Sequence, residues 1–411
     1  MQEEKKNYSR PSYTPLLVIE EAARCLLCYD APCSKACPAN TDPARFIRAV
    51  RFRNFKGAVE IVREKNALAG VCARVCPTEK LCKSACSRCG IDEPIEIDRI
   101  QEYITDYEEK TGMQVLKVEG KANGKVAIIG SGPAGLEAAA TLRKLGYKVT
   151  VFEKNEKLGG YLTYGIPEHR LPNKVVDNEI NKIKQIGVEF KTGIEVGKDI
   201  SLNELEKEYN AVLVSTGLPY GRSLELFKDN QNVILAVDFL AKNKNEDLKI
   251  NPDDVSLIIG GGDVAMDVAS SLKLKGVKNV IVVARETWDE FLASEGELEL
   301  SRKLNISIFD GYTPVKVEGK KVFFEHMKMK NASLVLEADK IYLAIGQAAN
   351  PLKKLQSDRG YIVQNNYHTN REKVFATGDA IVGDKLVVNA VKLGYEAALE
   401  IHNFLGGDKN A

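Results

Sequence analysis

A run of strand, glycine-rich turn, helix and second strand occurs twice in this chain, and that duplication restricts its fold more than any other feature. The first copy is KVAIIGSGPAGLEAAATLRKLGYKVTVFEK, residues 125–154, and the second is SLIIGGGDVAMDVASSLKLKGVKNVIVVARE, residues 256–286. Their glycine loops begin at Gly130 and Gly260. Each copy reads as a mononucleotide-binding unit, so the expected architecture is α/β, with two doubly wound nucleotide-binding domains rather than one. The 411 residues are ample for this, because single cores stop growing beyond about 250 to 300 residues.

In the first loop, Gly130 permits the tight turn, Gly132 lets backbone N–H groups approach a pyrophosphate, and Gly135 allows helix to pack close on strand. Ser131, Pro133 and Ala134 complete the loop, and Glu153 ends the next strand where it can hydrogen-bond a ribose. Two later segments point to a flavin. One is Gly159-Gly160; the other is Phe375-Ala376-Thr377-Gly378-Asp379, a strand end that places a carboxylate near a ribityl hydroxyl. The helix expected from Val387-Val388-Asn389 aims its positive end at the isoalloxazine. Residues 347–411 must therefore return to the first domain after the second is complete, which makes the second an insertion.

The second loop is Gly260-Gly261-Gly262-Asp263-Val264-Ala265, and its following strand ends in Arg285-Glu286. Arg285 could stack on adenine or meet a 2′-phosphate, whereas Glu286 would repel that phosphate, so NADH is preferred to NADPH. An ordinary surface ion pair is the plain alternative for Arg285.

All nine cysteines lie upstream of both loops, with none after Cys89. Cys25, Cys28, Cys33 and Cys37 follow C-x2-C-x4-C-x3-C-P, and Cys72, Cys76, Cys82 and Cys86 follow C-x3-C-P-x4-C-x3-C. Zinc, disulfides and [4Fe-4S] centres are the alternatives, since such spacings also suit structural zinc. An odd count fits a fully paired disulfide framework poorly. The steps Cys37-Pro38 and Cys76-Pro77, and the need for a one-electron outlet beside a two-electron flavin, favour two iron–sulfur clusters. Disulfide reductases with a duplicated layout collect electrons on a C-x-x-C within a nucleotide domain, and here neither domain contains a cysteine. Spacing alone leaves open which cysteines share a cluster.

Lysine plus arginine (58) nearly cancels aspartate plus glutamate (57), so no global field suggests a nucleic-acid or membrane partner. The mixed-charge start MQEEKKNYSRPSYTP has no apolar core of a secretory signal, and no stretch reaches the roughly 18 apolar residues of a membrane span. A cytoplasmic location is the expectation. Thr41-Asp42-Pro43 signals a helix start, and Phe46, Val50 and Ala58 recur near helical period through residue 65. Arg45, Arg48, Arg51, Arg53 and Lys56 decorate that helix as a solvated face or a docking face. The expected domains are 1–115, all-α with two [4Fe-4S] clusters; 124–222 with 347–411, binding FAD; and 223–346, binding NAD(H).

On these residues the chain resembles the electron-input subunit of bacterial NAD-dependent dihydropyrimidine dehydrogenase, itself similar to the amino-terminal half of the animal enzyme and to the glutamate synthase small subunit. The resemblance spans residues 15–405 and is carried by CLLCYDAPCSKACPA, DPARFIRAVRFRNFKGAVEIV, VCARVCPTEKLC, GSGPAG, GGYLTYGIPEHRLP, GGGDVAMDVA and ATGDAIVGDK. It implies one cluster on Cys25, Cys28, Cys33 and Cys86. The other would use Cys37, Cys76, Cys82 and Gln101, with Glu102 as the neighbouring alternative, and Cys72 and Cys89 would not be ligands. It further implies FAD contacts by Ser131 to Gly135, Glu153, Gly160, Arg170 and Asp379, and nicotinamide contacts by Gly261 to Val264, Arg285 and Ala344-Ile345-Gly346. NADPH-using members carry more basic residues after Arg285, where this chain has Glu286 and Thr287-Trp288-Asp289-Glu290.

The function so implied is oxidation of NADH with FAD, and passage of electrons through two clusters to a partner subunit. That subunit would hold FMN and interconvert uracil or thymine with the 5,6-dihydropyrimidine. A small subunit of glutamate synthase, or of another NAD(P)H-dependent electron-transfer complex, is the alternative of the same class. A zinc-binding assembly module without redox turnover is the alternative of another.

Overall fold

The structure is a computed structural model and describes residues 12–349 and 352–406. The first eleven residues of the mixed-charge start lie outside the described residues. Each glycine-loop copy becomes a five-stranded, wholly parallel sheet. In the first, the order is Val374–Ala376, Ala211–Val214, Lys125–Ile129, Lys148–Glu153, Glu189–Thr192. The central strands are buried on both faces, which is why they read as unbroken apolar runs.

The second sheet has the order Val233–Leu235, Lys340–Leu343, Val255–Ile259, Asn279–Val283, Ser307–Phe309. The outermost place, beside Ala211–Val214 in one sheet and Lys340–Leu343 in the other, is filled differently in the two. The first sheet takes it from far down the chain, at Val374–Ala376, and the second takes it from the strand that precedes its own glycine loop. An antiparallel ribbon, Tyr312–Glu318, Lys321–His326 and Ser333–Glu337, leads into the last strand of the second sheet.

Residues 12–162, 168–217 and 352–406 gather in one compact unit, and residues 163–167 with 218–349 gather in another. The second nucleotide fold is therefore an insertion into the first, as the returning strand demanded. The cysteine-bearing segment precedes both folds and carries no strand among its described residues; it belongs to the same compact unit as the first sheet. No helix of the described residues is long and apolar enough to cross a membrane.

That segment contains the helices Pro15–Ala23, Pro43–Arg51, Phe55–Arg63, Ala69–Val75 and Ile97–Thr111. Asp42 caps the second, accepting the Arg45 N–H, with Pro43 in the first turn. The helical periodicity through residue 65 is realised as two helices rather than one. Arg53 takes a left-handed conformation, φ 60°, and Asn54 restarts the helix by accepting the Gly57 N–H at 2.9 Å. Phe46, Ile47, Val50, Ala58, Val59 and Val62 then face Ile97, Ile100 and Ile104 in one buried cluster. Arg45, Arg48, Arg53 and Lys56 are exposed, as a solvated face requires, with Arg45 paired to the exposed Glu64; Arg51 is half-buried and donates to the Cys25 carbonyl at 3.1 Å.

Candidate cofactor sites

Close approach explains the glycines of the first loop. A Cβ on Gly130 (φ 103°) would stand 2.6 Å from the Ser215 carbonyl oxygen, and one on Gly135 would stand 2.1 Å from the Gly130 oxygen. Gly132 is different, because a Cβ there would meet nothing within 4 Å. Its lack of a side chain opens space for a ligand rather than for the protein. Helix Pro133–Lys144 starts immediately after it with no side-chain cap, so first-turn N–H groups face that space.

Glu153 is buried at the mouth of this loop. Its carboxylate accepts the Ser131 N–H at 3.0 Å, the Ser131 hydroxyl at 2.7 Å and the Asn155 N–H at 2.9 Å. It therefore orients the loop as well as lying where a ribose would bind, a structural duty that sequence reasoning missed. Gly160 abuts Gly132, and Gly378 abuts Ala134, so both flavin-type segments are brought to the loop. Asp379 follows Gly378, and burial pushes its carboxyl up to about 6, Lys385 opposing. Helix Val387–Phe404 begins at Val387 without a side-chain cap and packs on Pro133–Lys144 through Gly394, where a Cβ would stand 2.2 Å from the Ala134 oxygen. Arg170 lies half-buried in the turn before helix Asn173–Gln185, in the same compact unit.

The second loop repeats this construction. A Cβ on Gly260 would strike the Ala344 oxygen at 2.3 Å, and Gly262 again faces open space before the uncapped helix Asp263–Leu274. Asp263 accepts the Ser294 N–H at 2.7 Å, and Val264 follows it in the first helical turn. Ala344 is held by its N–H to Ile259, and Gly346, beyond Ile345, has φ 107° and accepts from Arg222. Strand register puts Ala284 opposite the place that Glu153 occupies in the first fold, since Ile259 pairs with Val283 as Ile129 pairs with Phe152. The carboxylate here comes from Glu286, whose oxygen lies 3.0 Å from the Cβ position of Gly261. Arg285 extends into solvent and bonds Glu286 at 3.3 Å. Glu290, whose carboxyl Lys328 and the Thr287 hydroxyl hold down at about 2, is already paired with Lys328.

The thiols form two neighbouring groups. Burial raises Cys25, with Cys28 and Cys86 adding to it; burial raises Cys33 to about 11, helped by Cys86 and Cys25. Cys37, Cys72, Cys76, Cys82 and Gln101 line one cavity together with Asn66 and Asp98. Cys76 is raised by its bond to the Cys72 thiol, then by burial and by Cys37 and Cys82; burial raises Cys82 to about 12. Among the described residues no three His, Cys, Asp or Glu groups close on a single metal-ion position. The groupings are looser than that. Crowded buried thiols resist ionising together unless a cation joins them, which is the donor chemistry an iron–sulfur cluster satisfies.

Cys25, Cys28, Cys33 and Cys86 thus influence one another, while Cys37, Cys76, Cys82 and Gln101 share the cavity, and Cys33 also lies near enough to raise Cys82. The structure also brings Cys72 into the second group, although the resemblance left it out. Cys89 is exposed outside both, donating towards the Lys83 and Ser84 carbonyls. Glu102 faces Arg74 at 3.6 Å and is not among the cavity-lining residues.

With this geometry in place, comparison with known proteins is decisive. Residues 2–113 match the family described as dihydropyrimidine dehydrogenase domain II, 4Fe-4S cluster, and residues 124–394 match pyridine nucleotide-disulphide oxidoreductase. The chain is 54% identical over 399 residues to the NAD-dependent dihydropyrimidine dehydrogenase subunit PreT of Escherichia coli O157:H7, covering 97% of this chain and 96% of that one. It belongs to the family of NAD-dependent dihydropyrimidine dehydrogenase subunits. The glutamate synthase [NADPH] small chain of Halomonas elongata is more distant, at 31% identity over 96% of this chain and 92% of that one. Lactococcus lactis thioredoxin reductase shares the fold, with TM-score 0.56 at 21% identity over 69% of this chain and 99% of that one.

Family membership makes the chain an oxidoreductase with an iron–sulfur region joined to a flavin- and nicotinamide-binding region. Here all nine cysteines lie outside both nucleotide folds.

Proposed function

We propose that this chain is the NADH-oxidising subunit of a dihydropyrimidine dehydrogenase, with two [4Fe-4S] clusters and a partner subunit that carries FMN and the pyrimidine site. The observation that carries the reading is the thiol cavity itself: Val388, from the first turn of helix Val387–Phe404, lines it beside Cys37, Cys72, Cys76 and Cys82. The same helix packs on the first nucleotide loop. A flavin seated at that loop would therefore stand close to a thiol group able to receive its electrons.

When bound, nicotinamide and flavin supply hydride chemistry and the clusters supply one-electron chemistry, which no side chain of this chain provides. The residues bind and orient. Gly132 and the first-turn N–H groups after it receive the FAD pyrophosphate, Glu153 the ribose, and Gly160, Arg170 and Asp379 the flavin portion. The amino-terminal end of helix Val387–Phe404 favours negative charge on the ring. Gly261 to Val264, Arg285 and Ala344 to Gly346 receive the nicotinamide nucleotide, and Glu286 disfavours a 2′-phosphate. Cys37, Cys76, Cys82 and Gln101 hold the inner cluster; Cys25, Cys28, Cys33 and Cys86 hold the outer one.

The division of labour is tested by assaying the purified chain alone and mixed with a candidate FMN subunit. The isolated chain should reduce artificial acceptors with NADH and leave uracil untouched until the partner is added. Interconversion of uracil and dihydrouracil by the chain alone would overturn the reading.

A further inference from the structure

Asn66 is nearly fully buried, 1% exposed, and lines the cavity shared by Cys37, Cys72, Cys76, Cys82 and Gln101. Its amide orientation is fixed, because Oδ1 accepts the Leu68 N–H at 2.9 Å. Exchanging oxygen and nitrogen would set two donors against each other. Among the described residues, Nδ2 is left buried with no hydrogen-bond partner. The Gln101 amide does not share this condition, since its Nε2 donates to the Ala69 carbonyl at 2.8 Å.

A buried donor without an acceptor is costly and calls for an explanation, and in a cavity of thiols an acceptor that the site receives supplies one. The cavity is lined by thiols, and sulfur is the acceptor that an iron–sulfur group would bring. We infer that Asn66 Nδ2 donates a hydrogen bond to a sulfur of the cluster held in this cavity and thereby raises its reduction potential. Hydrogen bonds to cluster sulfurs are among the determinants of these potentials, and a donor favours the more negative, reduced form. Asp98, on the cavity wall near Cys82, acts in the opposite sense. Asn66 is a tuning residue that touches no substrate. The inference rests on the proposed occupancy of the cavity by a cluster.

The test is a redox titration of the reconstituted full chain, followed by electron paramagnetic resonance, for the wild type, Asn66→Ala and Asn66→Asp. Asn66→Asp keeps an acceptor for the Leu68 N–H and removes the donor; Asn66→Ala removes the donor without adding charge. In both, one cluster signal should become about tenfold harder to reduce at a fixed potential, a fall of about 59 mV for a one-electron couple, with the other signal unmoved. Wild-type protein carrying side-chain 15N-asparagine should also show an altered nitrogen coupling to the reduced cluster in pulsed spectra, which decides the matter if a variant loses iron. Full iron with unmoved midpoints, a shift in Asn66→Asp alone, or no asparagine coupling would each overturn the inference. Wild-type protein that holds no cluster iron would overturn the occupancy itself and the inference with it.

Discussion

Arg63, on a helix of the cysteine-bearing segment, is ion-paired in the interior with Glu179, on helix Asn173–Gln185 of the first nucleotide fold. Both side chains are nearly inaccessible, and the same guanidinium bonds Glu108 at 2.6 Å and the Ala67 carbonyl at 2.5 Å. Glu179 also accepts the Gly70 N–H at 3.1 Å, at the start of the helix that carries Cys72. The network therefore fastens the segment that bears the inner thiols to the fold that bears the first nucleotide loop.

Removing Glu179 leaves the buried Arg63 with one carboxylate in place of two and the Gly70 N–H without its acceptor. Glu179→Ala is expected to destabilise the compact unit by about 3 to 5 kcal/mol. Chemical denaturation should show the loss, and limited proteolysis should release the cysteine-bearing segment earlier than in the wild type.

Glu137, on helix Pro133–Lys144, gives a pH-dependent contribution. It is buried, accepts the Ala67 N–H at 2.7 Å, and burial pushes its carboxyl up to about 7. A carboxyl whose pKa rises on folding binds more protons folded than unfolded between about pH 4.5 and 7, so its effect on stability falls as pH rises through that window. Glu137→Gln removes the titration. The variant's melting temperature should gain on that of the wild type between pH 5 and pH 8, by an amount equivalent to about 3 kcal/mol.

Gly132 and Gly135 separate ligand space from packing space. Gly135→Ala forces a Cβ against the Gly130 oxygen and should destabilise the apoprotein. Gly132→Ala meets open space, so apoprotein melting should stay near wild type while FAD affinity falls at least about tenfold, read by flavin fluorescence.

Under the proposed function, Glu286 controls the nucleotide preference through its carboxylate, which lies beside Gly261. Glu286→Arg should raise the ratio of kcat/KM for NADPH to that for NADH by about tenfold or more, the scale of one charge-assisted hydrogen bond. The readout is reduction of an artificial acceptor with each nucleotide.

The duplicated fold was legible because glycine turns, apolar strands and helix starts are local signals, and Val374–Ala376 betrayed its return through the Gly378-Asp379 step. The nucleotide loops were legible for the same reason. The break at Arg53 escaped periodicity, because Phe46, Val50, Ala58 and Val62 keep one buried face across two helices. Spacing grouped Cys72 with Cys76 and Cys82, but the meeting of Cys72 and Asn66 with Cys37 and Gln101 escaped it, because packing between distant helices and loops makes it. Arg63 and Glu179 lie 116 residues apart, and nothing in either neighbourhood announces the pair.

On the proposed function, one chain joins a nicotinamide-reducible flavin to two iron–sulfur clusters. Anaerobic titration of the reconstituted full chain with NADH, followed optically and by electron paramagnetic resonance after iron analysis, tests it most directly. About eight iron atoms per chain, one FAD, bleaching of the flavin by NADH and the appearance of reduced-cluster signals are predicted. Stoichiometric zinc without iron, or a flavin that NADH leaves oxidised, would contradict it.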